Sequence, residues 1–170
     1  MTGTEYKSRA AGSDESPPRF LADAMLGKLA RWLRFLGFDT LYLQADDHLL
    51  AHRARAEDRI LLTRDRELAK RRGLRSILIV SQDLEEQLVQ ILTEVGEPSD
   101  KTPARCMRCN VPLVEISLEE ASTHVPPYVA QTQEEFRQCP QCGKVYWHGS
   151  HWKSMQKRLR EVLESGEKTG

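Results

Sequence analysis

The sequence has no excess of either charge, with 25 Lys and Arg against 25 Asp and Glu. That balance argues against a protein held on nucleic acid by overall positive charge. Local basic patches remain the route to a phosphate backbone. Long apolar runs are also missing. No stretch approaches the ~20 residues that cross a bilayer as a helix, so no membrane span is expected. The first residues, MTGTEYKSRAAGSDESPP, lack the apolar middle of a secretion signal, and the expected location is the cytoplasm. Cysteine is scarce. Its four copies all fall in two C-x-x-C pairs late in the chain. In a reducing compartment such pairs indicate a metal rather than disulfides.

The 170 residues leave room for one ordinary domain and a small module. With 29% charged and 39% hydrophobic residues, the chain reads as globular. Residues 1–18 are polar, end in Pro17-Pro18, and are expected to be a disordered leader. From 19 to 95 short apolar runs alternate with helical patterns. An extended segment at 19–22 ends at Asp23. Leu26, Leu29, Leu33 and Leu36 repeat at helical spacing over 24–36, and Gly37 is a natural stop. A strand is expected over 39–43, then a helix from Asp46 or Asp47 to about 57, and a strand over 60–63. A helix over 66–72 stopped by Gly73, a strand over 76–80 and a helix from Asp83 to about 95 complete the series. This order predicts an α/β fold with a mainly parallel sheet and helices on both faces. The runs ILLT and SILIV lack polar alternation, as strands covered on both sides should. Residues 96–104, GEPSDKTPA, form a linker. The cysteine module at 105–149, a basic helix at 150–164 and a polar tail at 165–170 follow.

In such sheets sites form beyond the carboxyl ends of the strands. Asp23 ends the first strand, Asp65 follows the third after Thr63, and Asp47 opens the helix after the second. Three carboxylates at one edge repel unless a cation joins them, and hard oxygen donors suit magnesium or manganese. Each acid also reads as a simple helix cap. Lys28, Arg31 and Arg34 lie near one face of the first helix. They read either as a phosphate-binding stripe or as a solvated face. Arg64 and Arg66 flank Asp65 and read either as phosphate contacts or as an offset to the local acidic charge. Thr63 is either a partner of a metal-bound acid or an ordinary strand residue.

The motifs CMRCN and CPQCG place Cys106, Cys109, Cys139 and Cys142 as two thiolate pairs able to close a tetrahedron around structural zinc. Asn110 and Gly143 follow the second cysteine of each pair, where the turn calls for positive φ. The gap between the pairs exceeds ordinary ribbon spacing, so an insertion is expected around VPPYVAQTQ. Beyond it, Tyr146, Trp147, His148, His151 and Trp152 mix with Lys153, Lys157, Arg158 and Arg160. That mixture suits single-stranded nucleic acid. Alternatively, Trp147 and Trp152 pack the module onto the first domain.

The segments RFLADAMLGKLARWLRFLGFDTLYL, RILLTRDRELA, RCMRCNVPL and CPQCGKVYWHGSHWKSM occur in this order. Together they resemble the Mut-seven C-terminal RNase domain family over about residues 19–164. The resemblance implies a PIN-like nuclease domain over 19–95 joined to a zinc ribbon. It further implies a metal-dependent RNase with RNA as substrate. Carried over by position, Asp23, Asp47 and Asp65 become the catalytic acids. Beside them, the residues themselves offer Lys28, Arg31, Thr63 and Arg64 as candidates toward substrate. For a fourth acid, Glu67 and Asp83 are the candidates, and Asp46 competes with Asp47 for the second place. Two alternatives stand beside this reading: a non-catalytic RNA- or ribosome-associated binding protein, and a protein–protein adaptor, such as a toxin-like protein with a dedicated inhibitor, since small PIN proteins often have such partners.

Overall fold

The computed structural model describes residues 16–167. Most of the expected leader, and residues 168–170 of the expected tail, lie outside them. The first domain runs β1 (Phe20–Ala22), a 3-10 turn (Ala24–Leu26), α1 (Gly27–Leu36), β2 (Thr40–Tyr42) and α2 (Asp47–Ala56). It continues with β3 (Ile60–Thr63), α3 (Arg66–Ala69), β4 (Ser76–Leu78) and α4 (Leu84–Val95). All four strands are parallel in the order β2-β1-β3-β4. The expected α/β sheet is thus present.

The strand sequences explain the two-sided burial. Phe20, Ala22, Ile60 and Leu62 point into a cluster with Leu29, Leu33, Leu88 and Ile91 of α1 and α4. Leu21 and Leu61 alternate to the other face and meet Leu50, Ala51 and Ala54 of α2 and Leu68 of α3. A strand apolar on both faces has no polar positions left, so the period-two signal vanishes.

Element ends follow local chemistry. Gly37 closes α1 with φ of 110° and donates its N–H to Arg34 O and Leu33 O. Helix α3 stops at Ala69, earlier than the helical pattern suggests. Strand β4 also stops early, because its pairing with β3 ends where Thr63 meets Leu78, leaving Val80 exposed.

The second unit contains an antiparallel sheet of β5 (Val114–Ile116), β6 (Phe136–Gln138) and β7 (Val145–Tyr146). The expected insertion is folded as α5 (Leu118–Ser122) and α6 (Pro127–Thr132). Ser117 caps α5 in a reciprocal capping box with Glu120. Helix α7 (Ser150–Glu167) runs past residue 164, into the segment expected as tail. It returns to the first domain, where Met155 and Leu159 are buried beside α4. Among the described residues no helix is long and apolar enough to cross a membrane.

Candidate metal centres at the sheet edge and in the cysteine module

The strand order places the acids. From β1 the chain moves outward one way to β2, then crosses back to β3 and β4 on the other side. The order therefore reverses between β1 and β3, where α/β sheets open a crevice at their carboxyl edge. Asp23 follows β1 and Asp65 follows β3 at this point. Ala22 is level with Leu62, which puts Asp23 level with Thr63. The buried Thr63 hydroxyl donates to Asp23 Oδ2 at 3.0 Å and accepts from the Asp65 N–H at 3.0 Å. One threonine thus contacts the carboxylate of Asp23 and the backbone of Asp65.

The capping reading is met at the same residues. Asp23 accepts from the Ala24 N–H at the 3-10 turn. Asp65 Oδ1 accepts from Glu67 N and Leu68 N at 2.9 and 3.2 Å. Asp46 caps α2 through Leu49 N, and Asp83 caps α4 through Glu86 N. Asp47 is different. It is half-buried in the first turn of α2 and makes no side-chain hydrogen bond or ion pair among the described residues. Glu67 is exposed and pairs loosely with Lys70 at 3.9 Å. Asp23, Asp47 and Asp65 do not bring three carboxylate oxygens within 4.8 Å of one another; among the described residues the group that meets this distance is the four cysteines. Lys28 and Arg31 are exposed on α1, and Arg64 is half-buried.

Arg34 has left the basic stripe. Its Nε donates to Thr40 O at 2.8 Å and its Nη1 to Met107 O at 2.7 Å. It therefore clamps the first C-x-x-C turn onto β2. Burial lowers its pKa.

Cys106, Cys109, Cys139 and Cys142 hold their sulfurs within 4.8 Å of one another, and all four are free thiols. Cys106 Sγ and Cys142 Sγ are 3.8 Å apart. A tetrahedron with Zn–S bonds of about 2.3 Å has edges of about 3.8 Å, so the donor set fits structural zinc. Asn110 and Gly143 take the left-handed backbone expected, with φ of 64° and 79°. Their N–H groups donate to Cys106 O and Cys139 O, both at 2.9 Å. The two turns are therefore matched, and in the second the N–H groups of Gln141 and Cys142 reach Cys139 Sγ at 3.4 Å.

Tyr146 supports the sulfurs from outside. Its hydroxyl accepts from Met107 N at 3.0 Å and lies 3.2 Å from Cys106 Sγ. Burial and the neighbouring sulfur push the phenol pKa up, so it stays protonated and donates to the thiolate. Burial opposes ionisation of Cys106, but hydrogen bonds from Tyr146 and the N–H groups of Cys109 and Arg108 outweigh it and bring this thiol to about 6. Cys109, desolvated and beside the other thiols, is pushed up to about 12. Four sulfurs so close cannot all ionise without a cation, and zinc resolves that conflict.

The aromatic rings of the tail serve packing. Trp152 is buried and stacks on Trp32 of α1, with centroids 5.6 Å apart and planes at 15°. It also meets Phe35 edge to face at 4.7 Å. Tyr146 and Trp152 share a cluster with Phe35 and Cys106. Trp147 is half-buried against the α5–α6 cluster and not against the first domain, while the largely exposed His148 and His151 set their rings 5.8 Å from Phe35 and Trp32.

The sequence reading missed the interface that Asp39 builds. Arg59 Nη1 reaches Asp39 Oδ1 at 2.9 Å, and Asn110 Nδ2 reaches the same oxygen at 2.7 Å. Asp39 and Arg59 each stand just before a strand that pairs in register with β1. Their proximity is readable only once that register is known.

These features define a parallel α/β domain, acidic at its carboxyl edge, clamped to a four-cysteine metal module. The sequence profile of the Mut7-C RNAse domain family matches residues 18–159. The chain belongs to that family, whose description points to a nuclease acting on RNA. No curated protein and no solved structure matches the chain significantly.

Proposed function

We propose that the chain is a metal-dependent ribonuclease that hydrolyses RNA phosphodiester bonds at the carboxyl edge of its parallel sheet, in the manner of a PIN-type nuclease. The observation that carries this reading is the Asp23–Thr63–Asp65 linkage at the point where the strand order reverses. Magnesium is commonly held by one or two carboxylates with waters and substrate phosphates, not by a closed protein cage. An Asp23–Asp65 pair fits that mode without a third acid in contact. Asp47, half-buried and unpartnered among the described residues, is the third carboxylate available as substrate and ion enter. Glu67, exposed and two residues from Asp65, is the fourth acid nearest in sequence to the pair.

Magnesium or manganese, when bound, would supply the charge that activates water and neutralises the phosphate. The chain's own groups do the rest. Thr63 holds Asp23 in one orientation and fixes the backbone ahead of Asp65. Lys28, Arg31 and Arg64 offer positive charge to neighbouring phosphates. Zinc held by the four thiolates is structural, since no coordination position is left for substrate.

One observation favours a second reading, a non-catalytic RNA-binding protein. Asp23 and Asp65 both already cap helical turns. Crystals soaked in manganese discriminate the two, because manganese scatters anomalously. The nuclease reading expects a peak within coordination distance of Asp23 and Asp65. A peak elsewhere, or none at this edge, supports the caps.

A further inference from the structure

We propose that Tyr42 is a platform on which an unpaired RNA base stacks beside the scissile phosphate, an inference that rests on the ribonuclease reading above. Tyr42 is the last residue of β2, an edge strand, and is level with Ala22. The residue after Ala22 is Asp23. The Tyr42 hydroxyl donates to Ala24 O at 2.6 Å and accepts from Gln44 Nε2 at 3.1 Å. Its polar atom is therefore spoken for one residue away from the acid, and the ring is held in place at two points. The ring lies against Gly27, where a Cβ would meet Cζ at 3.5 Å.

Tyr42 as a residue is 38% exposed, and Met25, in the turn just after Asp23, is 76% exposed. An aromatic ring with a satisfied hydroxyl presents mainly its π surface to a ligand. Lys28 and Arg31 continue along α1 from the same turn, both exposed. Aromatic surface followed by cations is the arrangement that binds single strands, the base on the ring and the phosphates on the charges. Bases paired in a duplex cannot reach such a ring, so the platform selects unpaired RNA.

The test uses the full zinc-loaded chain and a single-stranded oligoribonucleotide with manganese. Tyr42→Ala is expected to raise KM by about five- to a hundredfold, with kcat within a few-fold of wild type. Tyr42→Phe keeps the ring and should recover most of that loss. A purely structural role for the hydroxyl predicts the opposite, with Phe as damaging as Ala and kcat falling; that result overturns the platform. A second arm needs no variant. Binding by the wild-type chain, read by fluorescence anisotropy in calcium, should weaken when successive positions of the oligonucleotide are made abasic, at one position most. Indifference to every abasic position overturns the inference. So does equal RNA handling by wild type and Tyr42→Ala, which would make Met25 and Tyr42 a protein-docking step. Those failures leave a wild type that still cleaves. Failure of the ribonuclease reading itself appears as a wild type without cleavage, or as cleavage that survives Asp23→Asn.

Discussion

Asn110 Oδ1 accepts a hydrogen bond from the backbone N–H of Thr40 at 3.0 Å. The first residue belongs to a cysteine turn and the second to the edge strand of the parallel sheet. Arg34 takes the carbonyl of the same threonine. An edge strand offers unpaired backbone groups that invite other chains. Here the cysteine module and α1 close that edge at Thr40, so the module is part of the sheet's own stability.

Asn110→Gly tests this closure directly. Glycine accepts the φ of 64° without strain, so metal binding should persist at wild-type stoichiometry. The bonds to Thr40 and Asp39 are lost. A destabilisation of about 2 kcal/mol is expected from two hydrogen bonds, one to a charged group. Urea denaturation reads the stability. Amide exchange reads faster opening at Thr40, and an unchanged rate there would contradict the closure.

Zinc removal should act at the same strand. Thiolate coordination supplies much of the folding free energy of a small metal module. Chelation is therefore expected to release the cysteine turns, then Asn110 and Arg34, and to speed exchange in β2 more than in β3. The chain as purified should carry zinc at one ion per molecule by elemental analysis.

Asp39 sets an acid limit. Burial alone would raise its pKa, but hydrogen bonds from Arg59 and Asn110 outweigh burial and hold it below the ordinary carboxylate value. A carboxylate depressed in the folded state contributes stability that is complete above its unfolded pKa of about 4 and is lost as pH falls through the folded pKa. Asp39→Asn should therefore be less stable than wild type at pH 7 by about 2 kcal/mol. The gap should narrow only below about pH 4. Parallel denaturation of both proteins from pH 7 downward checks this; a gap constant to pH 3 would contradict it.

The parts legible in the sequence were those fixed by local chemistry. Strand β3 was readable to the residue because ILLT is bounded by Arg59 and by Arg64-Asp65. The cysteine turns were readable because C-x-x-C followed by Asn110 or Gly143 has few other geometries. The same local logic made Asp65 ambiguous: its carboxylate caps α3, while its backbone N–H donates to the Thr63 hydroxyl that also bonds Asp23. What stayed hidden depends on contacts between distant segments. Arg34 looked like part of a basic stripe at helical spacing, yet a partner more than seventy residues away, Met107 O, draws it inward. Basic residues in α7 masked its apolar side, where Met155 and Leu159 complete the first domain's core. Asp46 and Asp47 could not be separated by sequence because adjacent acids at a helix start satisfy the same preference. Backbone placement makes Asp46 the cap.

The central claim is that Asp23 and Asp65 act together on an RNA phosphate, and its most direct measurement is cleavage of a single-stranded oligoribonucleotide in manganese. Wild type, Asp23→Asn and Asp65→Asn are compared with zinc content and fold verified for each. The account predicts cleavage by wild type and a loss of at least about a hundredfold in kcat for either variant. Equal cleavage by all three proteins, or none by the zinc-loaded wild type, would contradict it.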